Sequence, residues 1–231
     1  MSQSVIPLES NPEIFTQFAH KLGLSQSFVF HDVYSLTDKD LLSFIPRPSP
    51  AIILLFPITP DYEKARLAEE EKSKGSTDDE NVVWFKQTVK NACGLYALLN
   101  SISNLDEVSY EPNSRIVEFK KSYKDISKLE QLVENLKKDY TDAATSGETQ
   151  APDAEEDTSL HFIAFIKKDG HIYEMDGRRK GPLDLGEAQE SNSEDVLGES
   201  TVVERFQRYI ELSDDENKLN FSLMALAPSF E

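Results

Sequence analysis

The stretch Gln87-Thr-Val-Lys-Asn-Ala-Cys93-Gly94 carries the chain's only cysteine. A lone free cysteine is most often a small buried hydrophobe, so its surroundings decide whether it does chemistry. Asn91 is expected to cap a helix that starts here, which would put Cys93 in the first turn. There the free N–H groups and aligned peptide dipoles favour negative charge. A thiol in that position ionises below its ordinary pKa of about 8.5, and the thiolate is the nucleophile. Gly94 is expected to leave open space beside the sulfur.

A cysteine nucleophile needs a base within reach. The chain has four histidines, at 20, 31, 161 and 171. His20 falls on an amphipathic helix and His31 within a strand, both structural or surface positions. His161 opens a strong strand directly after a polar segment, where a sheet end would face a cleft. An orienting carboxylate completes such a set, and Asp176 ends the strand that follows. A two-residue turn through Asp169-Gly170 puts Asp176 opposite Ile163, on the face of His161. A four-residue turn puts it opposite His161 itself, and a three-residue turn puts the two on different faces. Acyl transfer also requires donors for a developing oxyanion. The Cys93 backbone N–H is one candidate, and the Gln87 side-chain amide is another.

These residues need elements to hold them. Asn11 and Pro12 read as an N-cap and a first-turn proline. Ile14, Phe15, Phe18, Ala19 and Leu22 then follow at helical spacing, and Gly23 stops the helix. Phe28–Tyr34 reads as a strand, and Asp38–Phe44 as a short helix. Ala51–Phe56 is continuously apolar, like a strand buried on both faces. Asp61–Glu80 reads as a surface helix or loop, and Val82–Phe85 as a short strand. Ala92–Ser103 is apolar nearly all round, which predicts a central buried helix, and Ile116–Lys138 is amphipathic. Asp139–Ser159 holds seven acidic residues, no Lys or Arg, and no Leu, Ile, Val or Phe. It is therefore expected to be a mobile loop. Leu160–Ile166 and His171–Asp176 read as a hairpin. Thr201 and Glu204 have capping-box spacing ahead of a helix, and Phe221–Ala227 reads as a last strand. The mixture predicts one α/β (α+β) domain over residues 1–231.

The formal net charge of −18 argues against nucleic acid, whose binding rests on Lys and Arg contacts to phosphate, and favours a basic partner. No apolar run approaches the roughly 20 residues that span a bilayer, so no membrane partner is expected. A single cysteine and no recognisable leader fit the cytoplasm, or the nucleus as well. There is no cysteine pair, His-x3-His or Gly-x-Gly-x-x-Gly, so no metal or organic cofactor is expected.

Together these segments resemble the ubiquitin C-terminal hydrolase family of cysteine proteases, in its short members. The resemblance rests on PLESNPE, the strand ending LLFPIT, FKQTVKNACG, LHFIAFIKKDGHIYEMDGR and LNFSLMALA, in that order. It implies a papain-like fold, with a mainly antiparallel central sheet flanked by helices and a knotted backbone. It implies Cys93 as nucleophile, His161 as general base and acid, Asp176 as the residue orienting His161, and Gln87 as oxyanion donor. Ubiquitin is the implied partner, contacted by Pro7, Leu8, Glu9, Ser10, Asn11 and Pro12 and by Leu219, Asn220, Phe221, Ser222 and Leu223. The alternatives are the same chemistry on a ubiquitin-like modifier such as NEDD8 or Rub1, and a catalytically silent ubiquitin-binding module; a monomer is expected. Residues 144–151 fall within the family's active-site crossover loop, which the resemblance places at about 139–159. The chain departs from the family at Asn100, where many members have histidine; an effect on packing behind the helix is expected.

Overall fold

The computed structural model describes residues 4–72, 82–149, 154, 156, 158–189 and 193–230. Eight helices lie among them: α1 (Pro12–Leu22), α2 (Lys39–Leu42), α3 (Pro60–Lys72), α4 (Cys93–Ile102), α5 (Arg115–Ser122), α6 (Ile126–Asn135), α7 (Lys137–Ala144) and α8 (Ser200–Glu211). Six strands, β1 (Phe28–Asp32), β2 (Ala51–Pro57), β3 (Leu160–Lys168), β4 (His171–Met175), β5 (Leu183–Glu187) and β6 (Ser222–Pro228), form one sheet. Its order is β1-β6-β2-β3-β4-β5, and every pairing is antiparallel.

Two apolar cores cover the two faces of this sheet. Alternate residues of β2 enter different cores, Ile53 with α1, α4, α5, α6 and α7, and Ile52 and Leu54 with Tyr62 of α3 and Val202 and Tyr209 of α8. That double burial explains why Ala51–Phe56 has no polar alternation. Helix α4 is buried along its whole length. Helix α1 begins and ends as the sequence predicts, with Asn11 accepting from the Glu13 and Ile14 amides and Gly23 at φ 99°.

Four expectations change. Asp139–Ser159 does not open as a loop, because α7 continues to Ala144. Tyr140 and Ala143/Ala144 make a short apolar stripe; the Tyr140 ring meets Phe18 at 6.1 Å and its hydroxyl donates to the Ile6 carbonyl at 2.8 Å. The expected mobility of residues 150–153, 155 and 157 lies outside the described residues, as do residues 73–81 of the Asp61–Glu80 segment and its neighbour. Val82–Phe85 joins no strand. Its amides bond instead to side chains of α4, Val83 N–H to Asn104 Oδ1 at 2.8 Å and Phe85 N–H to Asn100 Oδ1 at 2.9 Å. Thr201 lies inside α8 and does not cap it; Glu199 holds the N-cap position. Its carboxylate accepts from Lys167 Nζ and the Gln189 amide. Strand β5 goes unread in the sequence, because its exposed Asp184 and half-buried leucines give no clear alternation.

Candidate active site

Cys93 is the first residue of α4. The preceding turn differs from the expectation. Ala92 is the N-cap, with no side-chain bond, and Asn91 sits in the left-handed region at φ 63°, a conformation asparagine tolerates better than most residues. Its side chain points away from the helix. Nδ2 donates to the carbonyls of Ala154 and Glu156 at 3.0 and 2.9 Å. Asn91 thus ties Ala154 and Glu156 to the turn before Cys93, a role that local helix-start signals do not reveal. Nor does Gly94 open space, since a Cβ there would lie 3.2 Å from Leu8 and 3.4 Å from Phe162. The glycine lets α4 pack tightly on the N-terminal segment and on β3.

His161 is the second residue of β3, beside Phe56 of β2. The β3–β4 turn is the two-residue one, with Lys168 paired to His171 and Asp169 and Gly170 both at positive φ, as such hairpins require. Continuing that register places Asp176 opposite Ile163, on the His161 face. His161 Nε2 lies 2.8 Å from Asp176 Oδ1, with both side chains buried. The same oxygen accepts the Arg178 N–H at 2.8 Å, and Tyr62 donates to Oδ2 at 3.5 Å. His161 and Cys93 border one cavity, and the imidazole acts on the thiol through charge and hydrogen bonding. Cys93 therefore comes from a helix on one face of the sheet, and His161 and Asp176 from the other; they meet at the sheet's end.

The charges reinforce this arrangement. Burial raises the Cys93 pKa, but the His161 hydrogen bond and charge, with the Phe162 and Gly94 amides, bring it below its ordinary value. Burial disfavours the His161 cation, yet the Asp176 charge and hydrogen bond outweigh it and lift the imidazole to about 9. Asp176, penalised by burial, is held well below the carboxylate range by His161 and the Arg178 amide. This arrangement supports a thiolate–imidazolium pair.

Gln87 lies against the Asp176-Gly177 turn, its N–H donating to the Gly177 carbonyl at 2.9 Å. Its Nε2 donates to the Val89 carbonyl at 3.1 Å, and its Oε1 is buried without a partner. A Cβ on Gly177 would come within 2.9 Å of Gln87 Cβ, so glycine permits this approach. Asn100, behind the helix, packs fully buried and holds the segment leading to Gln87 through Phe85; its Nδ2 has no partner.

Of the segments expected to touch a partner, Pro7, Leu8, Glu9, Ser10 and Ser222 line a cavity that reaches Cys93. Ser10 and Ser222 hydroxyls are 2.8 Å apart, and Glu9 accepts from the Thr149 amide and hydroxyl. Asn11 and Pro12 begin α1. Leu219 is 94% exposed, Asn220 donates to Asn217, Phe221 packs edge-on to Phe206 at 5.7 Å, and Leu223 is buried. The other histidines are engaged elsewhere, His20 with the Phe28 carbonyl, His31 with the Pro228 carbonyl and His171 with Asp184. Among the described residues no helix is long and apolar enough to cross a membrane, and no group of three or more His, Cys, Asp or Glu is placed to hold a metal.

The model of ubiquitin carboxyl-terminal hydrolase family 1 matches residues 5–211. The chain is 41% identical to ubiquitin carboxyl-terminal hydrolase YUH1 of Saccharomyces cerevisiae, covering 100% of this chain and 98% of that one. It is 35% identical to a ubiquitin carboxyl-terminal hydrolase of Drosophila melanogaster, over 95% of this chain and 96% of the relative. A similar fold occurs in the Trichinella spiralis UCH37 catalytic domain bound to ubiquitin vinyl methyl ester, with a TM-score of 0.74 at 23% identity, covering 97% and 95% of the two chains. With its six-stranded antiparallel sheet flanked by helices, the chain belongs to the ubiquitin carboxyl-terminal hydrolases of family 1, which are cysteine peptidases.

Proposed function

We propose that this ubiquitin carboxyl-terminal hydrolase releases small adducts and short peptide extensions from the C-terminal glycine of ubiquitin, through a thioester on Cys93. The observation that carries the assignment is His161, bound to Asp176 at 2.8 Å and bordering the same cavity as Cys93. The Cys93 thiolate attacks the glycine carbonyl carbon. The oxyanion is held by the Cys93 N–H and Gln87 Nε2, each such donor contributing about 10²–10³ in rate. His161 protonates the leaving nitrogen or sulfur as the tetrahedral carbon collapses to the thioester. It then takes a proton from water, hydroxide adds, and the thiolate departs.

The partner surface in this reading is the cavity wall at Pro7–Ser10 and Ser222, extended by Asn11, Pro12, Asn220, Phe221, Leu223 and the exposed Leu219. The crossover segment acts as a gate against folded leaving groups, supported by its ties to Asn91 and to Glu9. One catalytic domain, a papain-like layout and a knotted path complete the reading, and the chain works as a monomer in the cytoplasm. The test is fluorophore release from the C-terminus of ubiquitin by wild type and Cys93→Ala. Rapid turnover that the variant loses is expected. A folded wild type without turnover would refute the assignment, and a faster rate on NEDD8 would move it to that modifier.

A further inference from the structure

Cys93, Thr158 and Leu160 border two cavities of opposite charge. The charged residues lining the first, of about 540 Å³, are Glu9 and Glu156, with no Lys or Arg among the described residues. The second, of about 670 Å³, is lined by Arg66, Lys86, Lys90 and Arg178, with no Asp or Glu among the described residues. In a chain of net charge −18 this concentration of cations calls for a cause. His161 and Gln87 border only the second cavity. The leaving atom must take its proton from His161, so the leaving group departs into the basic cavity and the acyl half occupies the acidic one.

The cations differ in how far they are neutralised. Arg66 pairs with Glu63 and Glu70. Among the described residues Lys86 Nζ donates to the Arg178 and Arg179 carbonyls, at 3.0 and 2.8 Å, and pairs with no carboxylate. Arg178 gives Nη2 to Glu63 at 2.9 Å, while its Nη1 is shielded from water without a partner. An ammonium and a guanidinium, each with donor capacity unfilled, therefore border the leaving-group side.

Resting on the hydrolase reading above, we propose that this cavity selects leaving groups that carry a carboxylate, with Lys86 and Arg178 as specificity-determining residues. A one-residue or few-residue extension with a free C-terminus meets this requirement, as does a small acidic amine or thiol.

The test uses ubiquitin extended by one residue: glutamine, glutamine amide, glutamate amide or lysine amide. The first pair isolates the α-carboxylate, and the glutamate and glutamine amides isolate a side-chain carboxylate. The expected kcat/KM for either carboxylate is about three- to fivefold above glutamine amide at low salt, the scale of a partly exposed ion pair. Lysine amide should be slowest, and the spread should shrink at high salt. Lys86→Met should bring the ratios towards one while glutamine amide is cut at the wild-type rate; comparing ratios cancels intrinsic reactivity. Lys90→Met provides a second neutralisation should Lys86→Met disturb the turn. Equal wild-type rates for all four substrates would overturn the proposal. So would ratios that survive both substitutions. Loss of turnover on every ubiquitin adduct by wild type would instead refute the hydrolase reading itself.

Discussion

Strand β4 and the residue that follows it carry two buried carboxylates two residues apart, and they behave differently. Glu174 is saturated. It accepts from Arg179 Nε at 2.9 Å and from Arg205 Nε and the Tyr209 hydroxyl at 2.5 Å each, and Glu69 closes the network by bridging both arginines. Asp176, just past the end of the same strand, has a histidine, one backbone amide and a distant tyrosine hydroxyl. Burial opposes ionisation at both sites, and partners restore it at both. The difference lies in what the partner can still do. Arginine holds its proton throughout the working range, so Glu174 sits in a closed structural circuit. Histidine can pass its proton on, so Asp176 serves a site that faces a cleft. Burial and a shifted pKa thus mark a functional site only when one member of the set can exchange a proton with something outside.

The sharpest way to break this comparison is to neutralise each carboxylate. Asp176→Asn should cut kcat by about 10²–10⁴, the range for general acid–base catalysis, with a loss of stability at neutral pH that fades as pH rises through about 9. Glu174→Gln should act on stability and spare kcat. Stranding two buried arginines costs about 3–5 kcal/mol, read as a lower denaturation midpoint, while kcat of the folded fraction stays within about twofold. If Glu174→Gln lost activity at unchanged stability, the distinction would collapse. Gly177→Ala probes the contact between the Asp176 turn and Gln87. The added methyl would sit 2.9 Å from Gln87 Cβ, so kcat should fall about tenfold, less than loss of an oxyanion donor, and stability by about 1–3 kcal/mol from overpacking. The smallest effect is in pH dependence. With His161 raised to about 9, the imidazolium's contribution to stability is complete below about pH 6.5 and is lost as pH rises through about 9. An alkaline limb in kcat/KM near pH 9 is expected. Asp176→Asn should move it towards the ordinary imidazole range, and Glu174→Gln should leave it in place.

Much of the site was legible because its signals are local. The Asn-Ala-Cys-Gly block marked the helix start, and the Asp169-Gly170 turn allowed the register that joins His161 to Asp176. What stayed hidden depends on distant partners. Asn91 reads as a cap until the Ala154 and Glu156 carbonyls are seen to take its amide. Val82–Phe85 reads as a strand because its ladder partners are the side chains of Asn100 and Asn104. Glu174 draws its arginine from position 205, thirty-one residues on, and no periodicity reports such a pairing. Helix α7 was missed because its apolar stripe is one tyrosine and two alanines.

The strand order has a consequence for how the protein is made. Strand β6, the last element described, lies between β1 and β2, the first two strands. A nascent chain that has exposed only the Cys93 helix and the first two strands cannot pair those strands with each other in the native way. The central sheet closes only when residues 222–228 are available, so β1 has no native strand partner until then. Such non-local pairing slows folding and exposes unpaired edges meanwhile. Emergence of β6 thus times the docking of the N-terminal strand onto the sheet that carries His161.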